Sequence, residues 1–257
     1  MDPALGRTTT QDPLAEKYSG LSPYLWCAGN PVRFTDPTGE TLNMQQPIEM
    51  DKICNTDYVQ NIVEDLKLIT GLSLYISDDK LIYSKDSSGN PIYEGGSKTA
   101  RDLLINIIDG KEVEVFVSNR NSTAPSGGSQ IGLSATQINN FIKNSHNLDS
   151  RTLGWGMVFL HELYHTGAGG SLSDVSENYG TGSVVDNMNI IREELNATGL
   201  NFGQRMNYSA IVLTEYDNGC GYLPFDQNAL CAIQLGVPPY RTSKYIKTRN
   251  FQRNRGL

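Results

Sequence analysis

Gly154-Trp155-Gly156-Met157-Val158-Phe159-Leu160-His161-Glu162-Leu163-Tyr164-His165-Thr166-Gly167 is the stretch on which the reading of this chain turns. Leu153, Met157, Leu160 and Tyr164 form one helical stripe, and Val158, Phe159 and Leu163 make most of the remaining surface apolar. A helix that is apolar nearly all round is a buried one. His161, Glu162 and His165 are set into this run, and ionisable groups in such a place are costly unless paired or bound to a metal. Residues four apart lie on one helical face, so His161 and His165 can offer two imidazole nitrogens to a single cation. Glu162 sits about 100° further round, within reach of a water held by that cation. The whole chain has only three histidines, and two of them are here, which argues for a shared task rather than a chance spacing.

His-Glu-x-x-His on a helix is the spacing used by zinc-dependent peptidases. Zinc with three protein ligands keeps its fourth position for water and lowers the pKa of that water to about 7. A glutamate beside it acts as general base and then as proton donor to the leaving amine. The motif supplies only two ligands, so a third is expected from elsewhere. The remaining histidine, His146, stands upstream in a polar segment and reads as a structural or surface residue. A carboxylate downstream is therefore expected. A helix is predicted over residues 184–198, with Val184, Met188, Ile191 and Leu195 as its apolar stripe. Asp186, Asn189 and Glu193 share the opposite face within about 60°, and Glu194 lies about 80° from Asp186. A merely solvated face is the plain alternative. Asp174 and Glu177, in a loop rich in glycine and serine, are weaker choices.

Composition narrows the class. A hydrophobic content of 38% and 25 glycines fit a loop-rich globular chain. The net charge of −7 gives no reason to expect nucleic-acid binding by the molecule as a whole. Residues 241–257 differ: Arg241, Lys244, Lys247, Arg249, Arg253 and Arg255 occur there without an acid. They are expected to form a solvated basic tail, the sharper alternative being contact with nucleic acid or an acidic partner. Cys27, Cys54, Cys220 and Cys231 lack C-x-x-C spacing, so neither a thiolate zinc site nor a redox motif is suggested. Pairing of Cys220 with Cys231 is left open. No transmembrane run or signal-peptide layout is seen.

Along the chain, residues 1–40 are a string of Asp-Pro, Ser-Pro and Asn-Pro turns with few apolar residues. Residues 41–55 read as a linker. A helix is predicted over 57–69, stopped at Gly71. A hairpin is predicted from strands 72–77 and 81–84 around Asp78-Asp79-Lys80. A helix over 99–108, a strand over 112–117 and a polar loop over 119–129 follow. Ser134-Ala135-Thr136-Gln137 opens a helix reaching Lys143. The His-Glu-x-x-His helix comes next and stops at Gly167, Gly169 and Gly170. The fold class is therefore α+β, with the main domain over residues 56–240.

Two resemblances add to this. Residues 2–40, with Asp2-Pro3-Ala4-Leu5-Gly6-Arg7, Ser22-Pro23-Tyr24, Asn30-Pro31-Val32 and Thr35-Asp36-Pro37-Thr38-Gly39, resemble the end of the Rhs/YD-repeat core. In polymorphic toxins that core precedes a variable C-terminal toxin domain. The resemblance implies that an effector domain begins near residue 40, close to a self-cleavage point at Asp36 to Gly39. It also implies delivery into a target cell by a specialised secretion system and a cognate immunity protein as partner. A mixed sheet followed by a buried His-Glu-x-x-His helix is similar to the zincin-like metallopeptidase domains found at toxin tips, which implies Zn²⁺ as cofactor and a protein or peptide substrate. The segment Val185-Asp186-x-x-Asn189-x-x-Arg192, followed by Gly203-Gln204-Arg205 and Tyr208, resembles the stretch after the motif in toxin-type zincins. There the equivalent of Asp186 would bind metal; Glu193 is the runner-up by analogy with peptidases whose third ligand is glutamate. Arg205 and Tyr208 are either donors to developing oxyanion charge or structural residues. The expected activity is that of a zinc endopeptidase with Glu162 as base. The rivals are a catalytically inactive zincin-fold module and, less well supported, a nuclease tip.

Overall fold

The fold is described from a computed structural model that places residues 42–118, 120–174, 180–213 and 220–248. The chain divides into a unit of residues 1–39 and a unit of residues 40–257. The expectations for residues 1–40, including the resemblance to a toxin core, lie outside the described residues.

The larger unit is α+β, with two sheets and seven α-helices among the described residues. Strand β1 (Leu42–Asn43) leads into helices α1 (Gln45–Cys54) and α2 (Tyr58–Thr70). A hairpin, β2 (Leu74–Ser77) and β3 (Lys80–Tyr83), is followed by α3 (Lys98–Ile108) and strands β4 (Val113–Ser118) and β5 (Gln130–Ser134). The five strands form a mixed sheet in the order β2-β3-β1-β4-β5, with β4 parallel to both β1 and β5 and the hairpin side antiparallel. The hairpin turn is Asp78-Asp79, both with positive φ (51° and 60°), the backbone that matches the twist of the flanking strands.

Helix α4 (Ala135–Lys143) begins at Ser134, whose hydroxyl accepts the Gln137 N–H. Strand β6 (Ser145–His146) and a 3-10 turn (Ser150–Leu153) lead to α5 (Trp155–His165), the His-Glu-x-x-His helix. Helix α6 (Ser183–Ala197), β7 (Ile211–Val212), β8 (Gly221–Pro224), α7 (Gln227–Gln234) and β9 (Tyr245–Thr248) complete the unit. The second sheet is antiparallel, in the order β6-β9-β8-β7. None of the described helices is long and apolar enough to cross a membrane.

Three expectations change here. Residues 41–55 are not a linker: Leu42 and Met44 are fully buried, β1 lies at the centre of the first sheet, and α1 follows. A two-residue strand and a weakly amphipathic helix leave almost no periodic signal in the sequence. The expected basic tail likewise contains β9, an interior strand with Ile246 fully buried, while residues 249–257 lie outside the described set. Lys244 precedes and Lys247 lies within a strand that is held by pairing to β6 and β8 rather than by its own composition. Finally, β5, β8 and α7 arise from segments for which no element was expected. Cys54, Cys220 and Cys231 are free thiols.

Candidate metal centre

Nine of the eleven residues of α5 are buried; the exceptions are His161 and His165. The helix packs against α2, β5 and α6. Its N-cap, Gly154, has no side chain to offer, and the capping group comes from another helix: Asp65 of α2 accepts the Gly156 N–H through Oδ2 at 3.0 Å. Burial pushes the Asp65 carboxyl above its ordinary pKa, against the pull of that hydrogen bond and of Arg151.

The chain after α5 doubles back along the helix. Thr166 closes it, its hydroxyl donating to the Leu163 carbonyl at 2.7 Å and accepting the Gly169 N–H at 3.1 Å. Gly169 runs so close to the helix end that a Cβ there would stand 1.8 Å from the Leu163 oxygen. Ser171 N–H then returns to the Thr166 carbonyl and Leu172 N–H to the Tyr164 carbonyl, each at 2.9 Å. The Leu172 carbonyl lies 2.8 Å from His165 Nδ1, which directs Nε2 of that ring the other way. The next turn is clamped by the start of α6: Ser183 Oγ donates to the Ser173 carbonyl at 3.1 Å, and a Cβ on Gly182 would meet the Asp174 backbone at 2.3 Å.

This reversal delivers Asp174. Its Oδ1 lies 3.1 Å from His161 Nε2 and its Oδ2 3.1 Å from His165 Nε2. The two rings stand edge-on, with centroids 5.2 Å apart. One donor atom from each of the three side chains falls within 4.8 Å of the others, and among the described residues this is the only such group of three. Oδ1 of Asp174 is buried and has no aligned hydrogen-bond donor despite its closeness to the imidazole. A carboxylate and two imidazoles that converge, with one carboxylate oxygen left without an aligned donor, are a donor set that fits a divalent cation such as zinc.

Charge follows the same geometry. Burial works against ionisation of Asp174, but the facing imidazoles and the Tyr208 hydroxyl more than reverse it, so the carboxyl stands well below its usual range. His165 is pushed up to about 8, chiefly by Asp174, whereas burial holds His161 below its ordinary value. Glu162 is 5% exposed, and burial pushes its carboxyl up to about 8.

Asp186 and Glu193 are where helical arithmetic put them, on the outward face of α6, and both are exposed; neither joins the histidines. Asp174 takes the place expected for them, and Glu177 lies outside the described residues. Glu194 serves elsewhere, accepting from Thr99 N–H at 3.0 Å and from the Ser97 and Thr99 hydroxyls at the start of α3. His146 pairs within the second sheet and stacks on Tyr245 at 4.5 Å.

Arg205 and Tyr208 do reach the centre. Asn189 of α6 holds Arg205 there: its Oδ1 accepts the Arg205 N–H at 2.9 Å and Arg192 Nη1 at 3.0 Å, and its Nδ2 donates to the Arg205 carbonyl at 2.9 Å. The Arg205 guanidinium is turned inward, donating to the Asn207 carbonyl at 3.2 Å and to the Tyr208 carbonyl. Its centre lies 5.2 Å from the Tyr208 ring. Burial and Asp174 push Tyr208 to about 12. Within that stretch Asn189 holds Arg205 and Arg205 holds Tyr208, while Asp186 lies apart from the histidines.

Compared with protein-family models, with curated proteins and with solved structures, the chain matches none.

Proposed function

We propose that this chain is a zinc-dependent endopeptidase of zincin-like type, the effector tip of an Rhs-type polymorphic toxin. The observation that carries the activity is the convergence of His161, His165 and Asp174 beside the buried Glu162. His161, His165 and Asp174 would hold the ion, with His165 oriented by the Leu172 carbonyl and Asp174 by Tyr208. A zinc ion bound there supplies Lewis acidity to a water and to a carbonyl. Glu162, buried beside that group, takes the proton from the attacking water and delivers it to the departing nitrogen. Support for the toxin context is the resemblance of residues 2–40 alone, and with it come delivery into a target cell, a protein substrate and a cognate immunity protein.

Metal analysis of the purified chain is expected to give about one zinc per chain. Glu162→Gln is expected to keep that zinc and to lose cleavage, by at least about 10² in kcat/KM. New N-termini in cells exposed to the parent chain, absent with the variant, would identify the substrate. A chain that binds no divalent cation, or a Glu162→Gln variant as active as the parent, would overturn the assignment; the latter result would favour an inactive binding module.

A further inference from the structure

A cavity of about 340 Å³ opens beside the candidate centre, and His161, Glu162, Arg205 and Tyr208 form part of its wall. Much of the rest is apolar: Phe141 of α4, Leu153 of the 3-10 turn, Val158 of α5, Ala210, Val212 of β7 and Leu223 of β8. Leu153, Val158 and Leu223 belong to the main core, so that part of the wall is set by packing rather than by a loose loop. Val158 stands one turn before His161 and Glu162 on the same helix, which brings the apolar wall to within a turn of the reacting groups. The size falls in the range of binding pockets.

We infer that this cavity is a specificity pocket that takes a large apolar side chain, aromatic or long aliphatic, from a substrate residue directly flanking the scissile bond. The assignment rests on the proposed peptidase activity for the bond that is cut, and on the cavity for the residue that is chosen. The gain for such a side chain comes from removing its apolar surface from water. Arg205 Nε and Nη2 already donate to the Asn207 and Tyr208 carbonyls. A basic side chain meets the charge of that guanidinium.

The test is a peptide mixture randomised at every position and digested by the zinc-loaded chain, with cleavage sites read by mass spectrometry. Phe, Tyr, Leu or Met should exceed Ala by about tenfold or more at one flanking position, as a hydrophobic pocket discriminates. In Ala210→Phe and Val212→Trp, both at partly exposed positions, that ratio should fall towards one while zinc content and circular dichroism stay unchanged. A flat profile from the parent chain, or a ratio untouched in both folded variants, overturns the pocket and leaves the peptidase assignment standing. Should no peptide be cut, binding still decides: zinc-loaded Glu162→Gln is titrated by NMR with N-acetyl-phenylalanine amide and N-acetyl-alanine amide. Preference for the phenylalanine probe, lost on adding Ala210→Phe, supports the pocket although the peptidase assignment has failed. No preference overturns it.

Discussion

Asp174 stands nine positions beyond His165, past a run of glycines, and no helical arithmetic reaches it. What brings it back is a series of backbone hydrogen bonds from residues 169, 171 and 172 to Thr166 and Tyr164 at the end of α5. This gives a sharp test at the level of single side chains. Asp174→Ala should lose most of the zinc, at least about tenfold in affinity, whereas Asp186→Ala and Glu193→Ala should keep it. Metal titration of the three variants checks this, and retention of full affinity by Asp174→Ala would remove it from the ligand set. His161, Glu162 and His165 were legible in the sequence because one helix carries them at a spacing dictated by chemistry. Asp174 was not, because a loop reversal has no period.

At the scale of elements, three helices of this unit, α2, α3 and α5, take carboxylates from neighbouring helices at their N-terminal ends. Asp51 of α1 accepts the Tyr58 and Val59 N–H groups of α2, Glu194 of α6 serves α3, and Asp65 of α2 serves α5. Each such cap ties a helix end to a tertiary contact, and losing one costs about 1 kcal/mol. Glu194 is held below its ordinary value of 4.5: burial raises it, but the Ser97 and Thr99 hydrogen bonds and Lys98 outweigh that. A carboxylate with a depressed folded-state pKa contributes stability above its unfolded value and loses it as pH falls through the folded value. Glu194→Gln should thus be less stable than the parent at pH 7, with the gap closing in acid; denaturant midpoints at pH 7 and pH 3 measure it. At Gly156 α5 runs close against α2, since a Cβ would sit 2.7 Å from Asp65 Cβ and 2.8 Å from Ile69 Cδ1. Gly156→Ala gains helix propensity but overpacks this crossing, and a net loss of about 1–3 kcal/mol is expected in chemical unfolding.

For the molecule as a whole, the second sheet depends on a segment whose composition suggested a solvated end. Ile246 is fully buried at the centre of β9, between β6 and β8, and Thr248 lines the cavity beside the candidate centre. Ile246→Ala should cost about 2–5 kcal/mol, read as a lowered thermal midpoint; a midpoint within experimental error of the parent would return this strand to the status of a tail. By itself the sequence determined the buried helix, its paired imidazoles and glutamate, and the helices whose apolar stripes repeat every turn. Those features follow from local spacing, which a linear chain carries in full. Only the tertiary structure decided that Leu42 begins a central strand, that β9 is an interior one, and that Asp174 rather than Asp186 faces the histidines. These depend on which distant segments pair and where a loop turns back, and such long-range contacts leave no periodicity in the residues that make them.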